Sequence, residues 1–192
     1  LGGTEPDPAA MTVEELMAFA AWTHECEAEL SPALALAAAE AAVQLFDPKF
    51  ALTYADMLQR TDPQWVPAQR QKADACLQLD LPAQALAALD GISRPELDAL
   101  DDVEEYASVV ATKARVMMRL PEQAGNVPGL LEAARNRLAP AAVGASWPEP
   151  AAVADTRIAL SGFEYRAFTG DYAALIPELE AAADPAVNPD PA

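Results

Sequence analysis

The side chains grouped closely enough to do chemistry are His24, Glu25, Cys26 and Glu27. Imidazole, thiolate and carboxylate are the usual zinc ligands, but a site needs three or four of them converging on one point. Consecutive residues of a helix point to different sides, and the chain has only this one histidine. The cluster therefore reads as a solvated polar face. The same scarcity limits nucleophilic catalysis, because a Ser or Cys nucleophile has few bases to choose from. A Gly-rich phosphate loop with Lys, HExxH, CxxC and GxSxG are all missing from the sequence. With 30 acidic residues any two carboxylates could converge, yet acid-rich helices are ordinarily solvated. No catalytic residue, metal ligand or cofactor is assigned, and the chain is read as a non-enzyme.

Charge narrows the partners. A net charge of −18 and a pI near 4.2 repel phosphate backbones and anionic lipid surfaces, so neither direct nucleic-acid contact nor membrane binding is expected. The most apolar run, residues 33–45, is far short of the ~20 residues that span a bilayer and contains Glu40. No charged n-region and h-region open the chain, so no signal peptide is visible. Cys26 and Cys76 sit in helical stretches and read as buried free thiols of a reducing, cytoplasmic compartment. The chain opens with Leu1 and a polar GGTEPDP segment, which looks like a domain cut from a longer polypeptide.

The positioning elements are all helices. Hydrophobic content is 52% but aromatic content 6%, so burial rests on Ala, Leu and Val, which suits helices packed closely through small side chains. Residues 1–10 read as a disordered linker and 184–192 as a disordered tail, with one helical domain, 11–183, between them. Thr12-Val13-Glu14-Glu15 fits a capping box and opens a helix to about residue 30. Ser31-Pro32 starts the next. This helix, 33–46, is apolar nearly all round and should be buried between neighbours. Asp47-Pro48 ends it and 49–60 returns.

In the following pair, 64–79 and 82–91, Trp65, Ala68, Ala75, Cys76 and Leu79 share one side, with Arg70, Asp74 and Gln78 opposite. Lys72 projects from the apolar side and needs either snorkelling or an acidic neighbour. Arg70 and Asp74 can pair, for ~0.2–0.5 kcal/mol, as surface decoration. The longest helix is expected over 95–119, a core stripe plus a solvated face. Its return is interrupted by Gly125 to Gly129 and continues over 130–138. Residues 140–150 form a loop whose Trp147 either docks back on the core or is offered to a partner. A last pair, 151–169 and 171–183, completes about nine helices.

The pairs repeat. An offset of 34 residues superposes Ala39 on Ala73, Leu45 on Leu79, Pro48 on Pro82, and Ala51 on Ala85. Leu81-Pro82-Ala83-Gln84-Ala85 recurs as Leu120-Pro121-Glu122-Gln123-Ala124, and Gly170-Asp171-Tyr172 opens a last copy. On these residues the chain resembles the tetratricopeptide repeat. Ala39, Ala51, Ala73 and Ala85 fall at that family's small-residue positions, Pro63 at its closing proline, and Gly170 and Tyr172 at its turn positions. Phe163 and Leu175 depart from it, standing where small residues belong.

The resemblance implies an all-α solenoid of antiparallel helix pairs that binds a protein or peptide, or a neighbouring domain of the same polypeptide, on its concave face. Carried over residue by residue, that face holds Glu40, Gln44, Arg70, Asp74, Gln78, Glu164 and Phe168. Members that clamp a peptide carboxylate use Lys, Arg and Asn there. The acids Glu40, Asp74 and Glu164 depart from that pattern and favour a basic or neutral peptide. Composition and rhythm over 31–183 are also similar to the helical-repeat region of LuxR-type and signal-transduction ATPase regulators of bacteria. That likeness implies a sensing or interaction module of a larger transcriptional regulator. A free-standing scaffold for protein assembly is the second reading, and an enzyme of helical fold a distant third.

Overall fold

The structure, a computed structural model, describes residues 6–139 and 149–183. Within them the chain forms eleven α-helices and one 3-10 turn, and no strand. Trp147 and its loop lie outside the described residues, as do the first five residues and the tail from 184. Inside the expected linker, Pro8–Ala10 makes a single 3-10 turn, its amide at Ala9 bonded to the Asp7 carboxylate.

Cap chemistry sets several helix starts. The Thr12 hydroxyl and Glu15 carboxylate form the reciprocal capping box that opens α1, Val13–Glu25. Ser31 accepts from the Leu34 amide and Pro32 fills the first turn of α2, Pro32–Gln44. Asp47 caps α3, Pro48–Ala55. The second pair is α4, Trp65–Gln78, and α5, Pro82–Asp90. Helix ends are set differently. Glu27, Phe46 and Asp80 take left-handed backbone at φ 52°, 56° and 57° and Gly170 at φ 81°. In each case the following amide reaches back five residues to a helix carbonyl, a Schellman-type stop. That stop ends α1 at Glu25, earlier than the expected residue 30, and brings Cys26 out to the surface while Cys76 stays buried.

Two expected helices are shorter or broken. Helix α3 stops at Ala55, and Asp62 folds the connection back through its bond from the Gln59 amide. Residues 95–119 are not one helix but two: α6, Arg94–Asp98, and α7, Val103–Met118. Asp102 accepts from the Glu104 and Glu105 amides and so starts a new helix. Arg137 collects the carbonyls freed upstream at Leu97, Asp98 and Leu100 while stacking on the Tyr106 ring. The chain then makes the single turn α8, Pro121–Ala124, before α9, Val127–Leu138. The longest helix is α10, Glu149–Thr169, at 21 residues, followed by α11, Tyr172–Ala183. The break and the extra turn account for eleven helices where nine were expected.

Helices α2, α4, α7 and α10 lie side by side in chain order, with α3, α5, α9 and α11 as their respective partners. Ala35, Ala38, Ala39 and Ala42 are fully buried on α2, so neighbouring backbones come close. The core passes from one pair to the next through shared side chains: Met17 and Leu52 at the first junctions, then Leu86, Leu97 and Leu100 between the middle and last clusters. At ~1.5–3 kcal/mol for each large apolar side chain buried, this seam is what holds the row together. No described helix is long and apolar enough to cross a membrane.

Candidate functional site

The outward line of α4 is Arg70, Asp74 and Gln78, one helical turn apart, and it faces α2 on one side and α7 on the other. Arg70 is only 17% exposed and makes a two-pronged contact with Glu105 of α7, Nε at 2.8 Å and Nη2 at 3.0 Å. Its Nη2 also reaches Glu40 of α2 at 3.5 Å, and Gln71 Nε2 donates to the same carboxylate at 3.1 Å. The expected partner within the helix, Asp74, stands farther off at 3.8 Å. Arg70 is therefore a three-helix tie and not a surface decoration. Lys72 meets its acidic neighbour in Asp56 of α3.

One turn on, Asp74 accepts from Arg115 of α7 at 3.0 Å, and the same guanidinium reaches Thr112 Oγ1 at 3.0 Å. Burial pushes the Asp74 and Glu105 carboxyls above their ordinary range, against the opposing pull of Arg115 on one and Arg70 on the other. A further turn on, Gln78 Nε2 donates to the Val43 carbonyl at 2.8 Å, while its Oε1 is buried and accepts no hydrogen bond from the described residues.

Beyond Gln78 the row opens into a cavity of about 760 Å³. Its walls come from the last turns of four helices. Val43, Gln44 and Phe46 close the end of α2, and Asp74, Leu77 and Gln78 the end of α4. Arg115, Met118 and Arg119 belong to the end of α7, Glu164 and Phe168 to that of α10. The floor is apolar, and Phe46 and Phe168 stand on the rim with 81% and 56% of their surface exposed. Among the described residues no Ser, Thr, Cys or His lines this cavity.

Five of the seven residues expected on a concave face thus share one cavity: Gln44, Asp74, Gln78, Glu164 and Phe168. Glu40 and Arg70 do not line it, being engaged with Glu105 and Gln71 a turn or two below. Sequence reasoning missed Val43, Phe46, Leu77, Arg115, Met118 and Arg119. The signal for the α7 residues was their helical spacing at the C-terminal end of an amphipathic stretch, which a reading as solvated face passed over. The His24 cluster is spread over the exposed end of α1, and among the described residues no three His, Cys, Asp or Glu side chains are grouped to hold a metal ion.

A second cavity of about 550 Å³ lies between α9, α10 and α11. Its Arg166 is held by Glu178 and by the face of Phe163.

No protein-family model matches the chain, and no curated protein or solved structure matches it significantly.

Proposed function

We propose that the chain is a non-catalytic interaction module that seats a protein segment in the groove running along α2, α4, α7 and α10. The observation that carries this reading is the convergence of five side chains, expected on a binding face from the resemblance to the tetratricopeptide repeat, on one open, apolar-floored cavity. An exposed apolar floor with a few fixed polar groups suits docking of a peptide. The charged groups below the floor are tied to one another, which makes the walls rigid and lowers the ordering cost of binding.

On this reading the row of helix pairs is a tetratricopeptide-like solenoid and works in the cytoplasm. It serves as the sensing or interaction region of a larger bacterial transcriptional regulator. The similarity of composition and rhythm supports that assignment, and the coding sequence on either side tests it: an NTPase or helix-turn-helix region is expected, and unrelated flanking sequence sinks it.

The groove itself is tested by selecting a random peptide library on the purified chain. Selected peptides should lose binding to the Phe46→Ser/Phe168→Ser double variant, whose two positions are exposed and carry no core packing. Peptides that bind the double variant unchanged would remove the groove from consideration.

A further inference from the structure

The cavity has a sign. Asp74 is held by Arg70 and Arg115, and Arg119 stands 4.0 Å from Asp80. Among the described residues, Glu164 alone of the charged lining groups has no ion-pair partner, for the nearby Arg166 turns to Glu178 instead. The ends that converge here are the C-terminal ends of α2, α4, α7 and α10. The helix dipole leaves a partial negative charge at each, reduced at α2, α4 and α10 where the Schellman-type stop satisfies end carbonyls. Around this lies a chain of net charge −18, whose field draws cations and repels anions. Arg115 is matched by Asp74 at 3.0 Å and so offers an acidic ligand little, while Arg119 meets the exposed Asp80 only at 4.0 Å and stays out at the rim. The apolar part of the occupant is set by Leu77 and Met118 below and by Phe46 and Phe168 at the rim.

We propose that the occupant is a peptide segment carrying one Lys or Arg beside an apolar anchor. The anchor sits between Phe46 and Phe168, and the cation points toward Glu164 and the four helix ends. This rests on the groove reading above and specifies its ligand.

The test uses peptides selected on the full chain that depend on Phe46 and Phe168. Each is labelled and resynthesised in three forms that differ at the basic position: Lys, Gln and Glu. Fluorescence anisotropy then measures binding to the unmodified chain and to E164Q, E164R and E14Q, with circular dichroism melts confirming that each variant folds.

The Lys form should bind tightest. E164Q should weaken it about fivefold and E164R more, while E14Q, which removes an equal charge at the start of α1, should leave it unchanged. Gln or Glu forms binding as tightly as Lys would overturn the ligand assignment and leave the groove standing. Equal losses in E164Q and E14Q would also overturn it, showing attraction to the acidic chain as a whole. Selection that yields no peptide sensitive to Phe46 and Phe168 overturns both readings.

Discussion

Phe46 and Asp80 lie 34 residues apart and hold the same backbone pose, φ 56° and 57°, one residue past the last turns of α2 and α4. The residue after each sends its amide five residues back, Asp47 to Ala42 and Leu81 to Cys76, both at 2.8 Å. The repeat is thus one of turn geometry as well as of residue type. In the last pair the same stop falls on Gly170. Only there does the chain use the residue for which positive φ costs nothing.

Asp80→Gly should therefore stabilise the protein. Holding an L residue in the left-handed region costs ~1–2 kcal/mol, and glycine returns part of that as unfolded-state entropy of ~0.4–1 kcal/mol. The side chain lost is 90% exposed and meets Arg119 only at 4.0 Å, an interaction of negligible strength in water. A gain of about 0.5–1 kcal/mol in the urea-unfolding free energy is expected for Asp80→Gly and none for Asp80→Ala. Equal effects of the two would show that the backbone pose carries no strain.

Helix starts were legible where their chemistry is local: Thr12 with Glu15 and Ser31 with Pro32 each act within one turn. The break between α6 and α7 was not, since Leu97, Leu100 and Val103 keep apolar spacing straight through it. Asp102 offers a start signal there, but the groups that hold the broken end together come from Arg137 on α9. No window of neighbouring residues contains that contact. The groove was half legible for the same reason. Resemblance to the tetratricopeptide repeat placed Gln44, Asp74, Gln78, Glu164 and Phe168, but whether an outward charge is free or tied depends on the helix opposite. Glu105 ties Arg70, and the altered spacing of the third pair hid Glu105 from a count based on 34 residues.

Arg70 is the first of those tied charges to test. Arg70→Met keeps much of its length but leaves Glu105, Asp74 and Glu40 facing one another without their shared cation, with Glu105 and Asp74 only 15% and 14% exposed. Breaking such a largely buried pair from one side costs ~3 kcal/mol. The loss should shrink with acid, because protonated carboxyls no longer need the arginine, and burial already holds Asp74 and Glu105 above their ordinary range. Thermal melts should show the largest gap from the unmodified chain at neutral pH. The gap should narrow as pH falls through the folded-state range of these carboxyls. A gap independent of pH would mean that Arg70 acts by packing alone.

Glu96 gives a pH signature of the same direction from a carboxyl whose range is shifted the other way, downward. Arg60 donates to both its oxygens at 2.6 Å, the Ser93 amide adds a bond at 2.7 Å, and these hold its carboxyl down from 4.5 to about 2. A carboxylate lowered on folding contributes stability that is fully present above pH 4.5 and is lost as pH falls through about 2. Glu96→Gln should therefore be less stable than the unmodified chain at pH 7 and converge with it near pH 2. Urea midpoints measured across that window decide the matter, and a constant difference would assign the effect to the Ser93 cap geometry instead.

Tyr54 is the polar group whose removal should help. Its side chain is fully buried among Ala20, Ala35, Ala38 and Ala39, and its hydroxyl has no hydrogen-bond partner among the described residues. Burial pushes the phenol above its ordinary range, with Asp47 adding to the shift, so the group stays neutral at working pH. A buried hydroxyl left unsatisfied costs ~1–3 kcal/mol of lost hydration, while the ring, stacked near Phe50 at 5.9 Å, contributes its packing with or without the oxygen. Tyr54→Phe should therefore raise the unfolding free energy by about 1 kcal/mol, whereas Tyr54→Ala, which empties the space between α2 and α3, should lower it by ~3–5 kcal/mol. Chemical denaturation of the two variants separates the terms. A destabilised Tyr54→Phe would mean that the hydroxyl is hydrogen-bonded in solution, for instance to an internal water between α1 and α3.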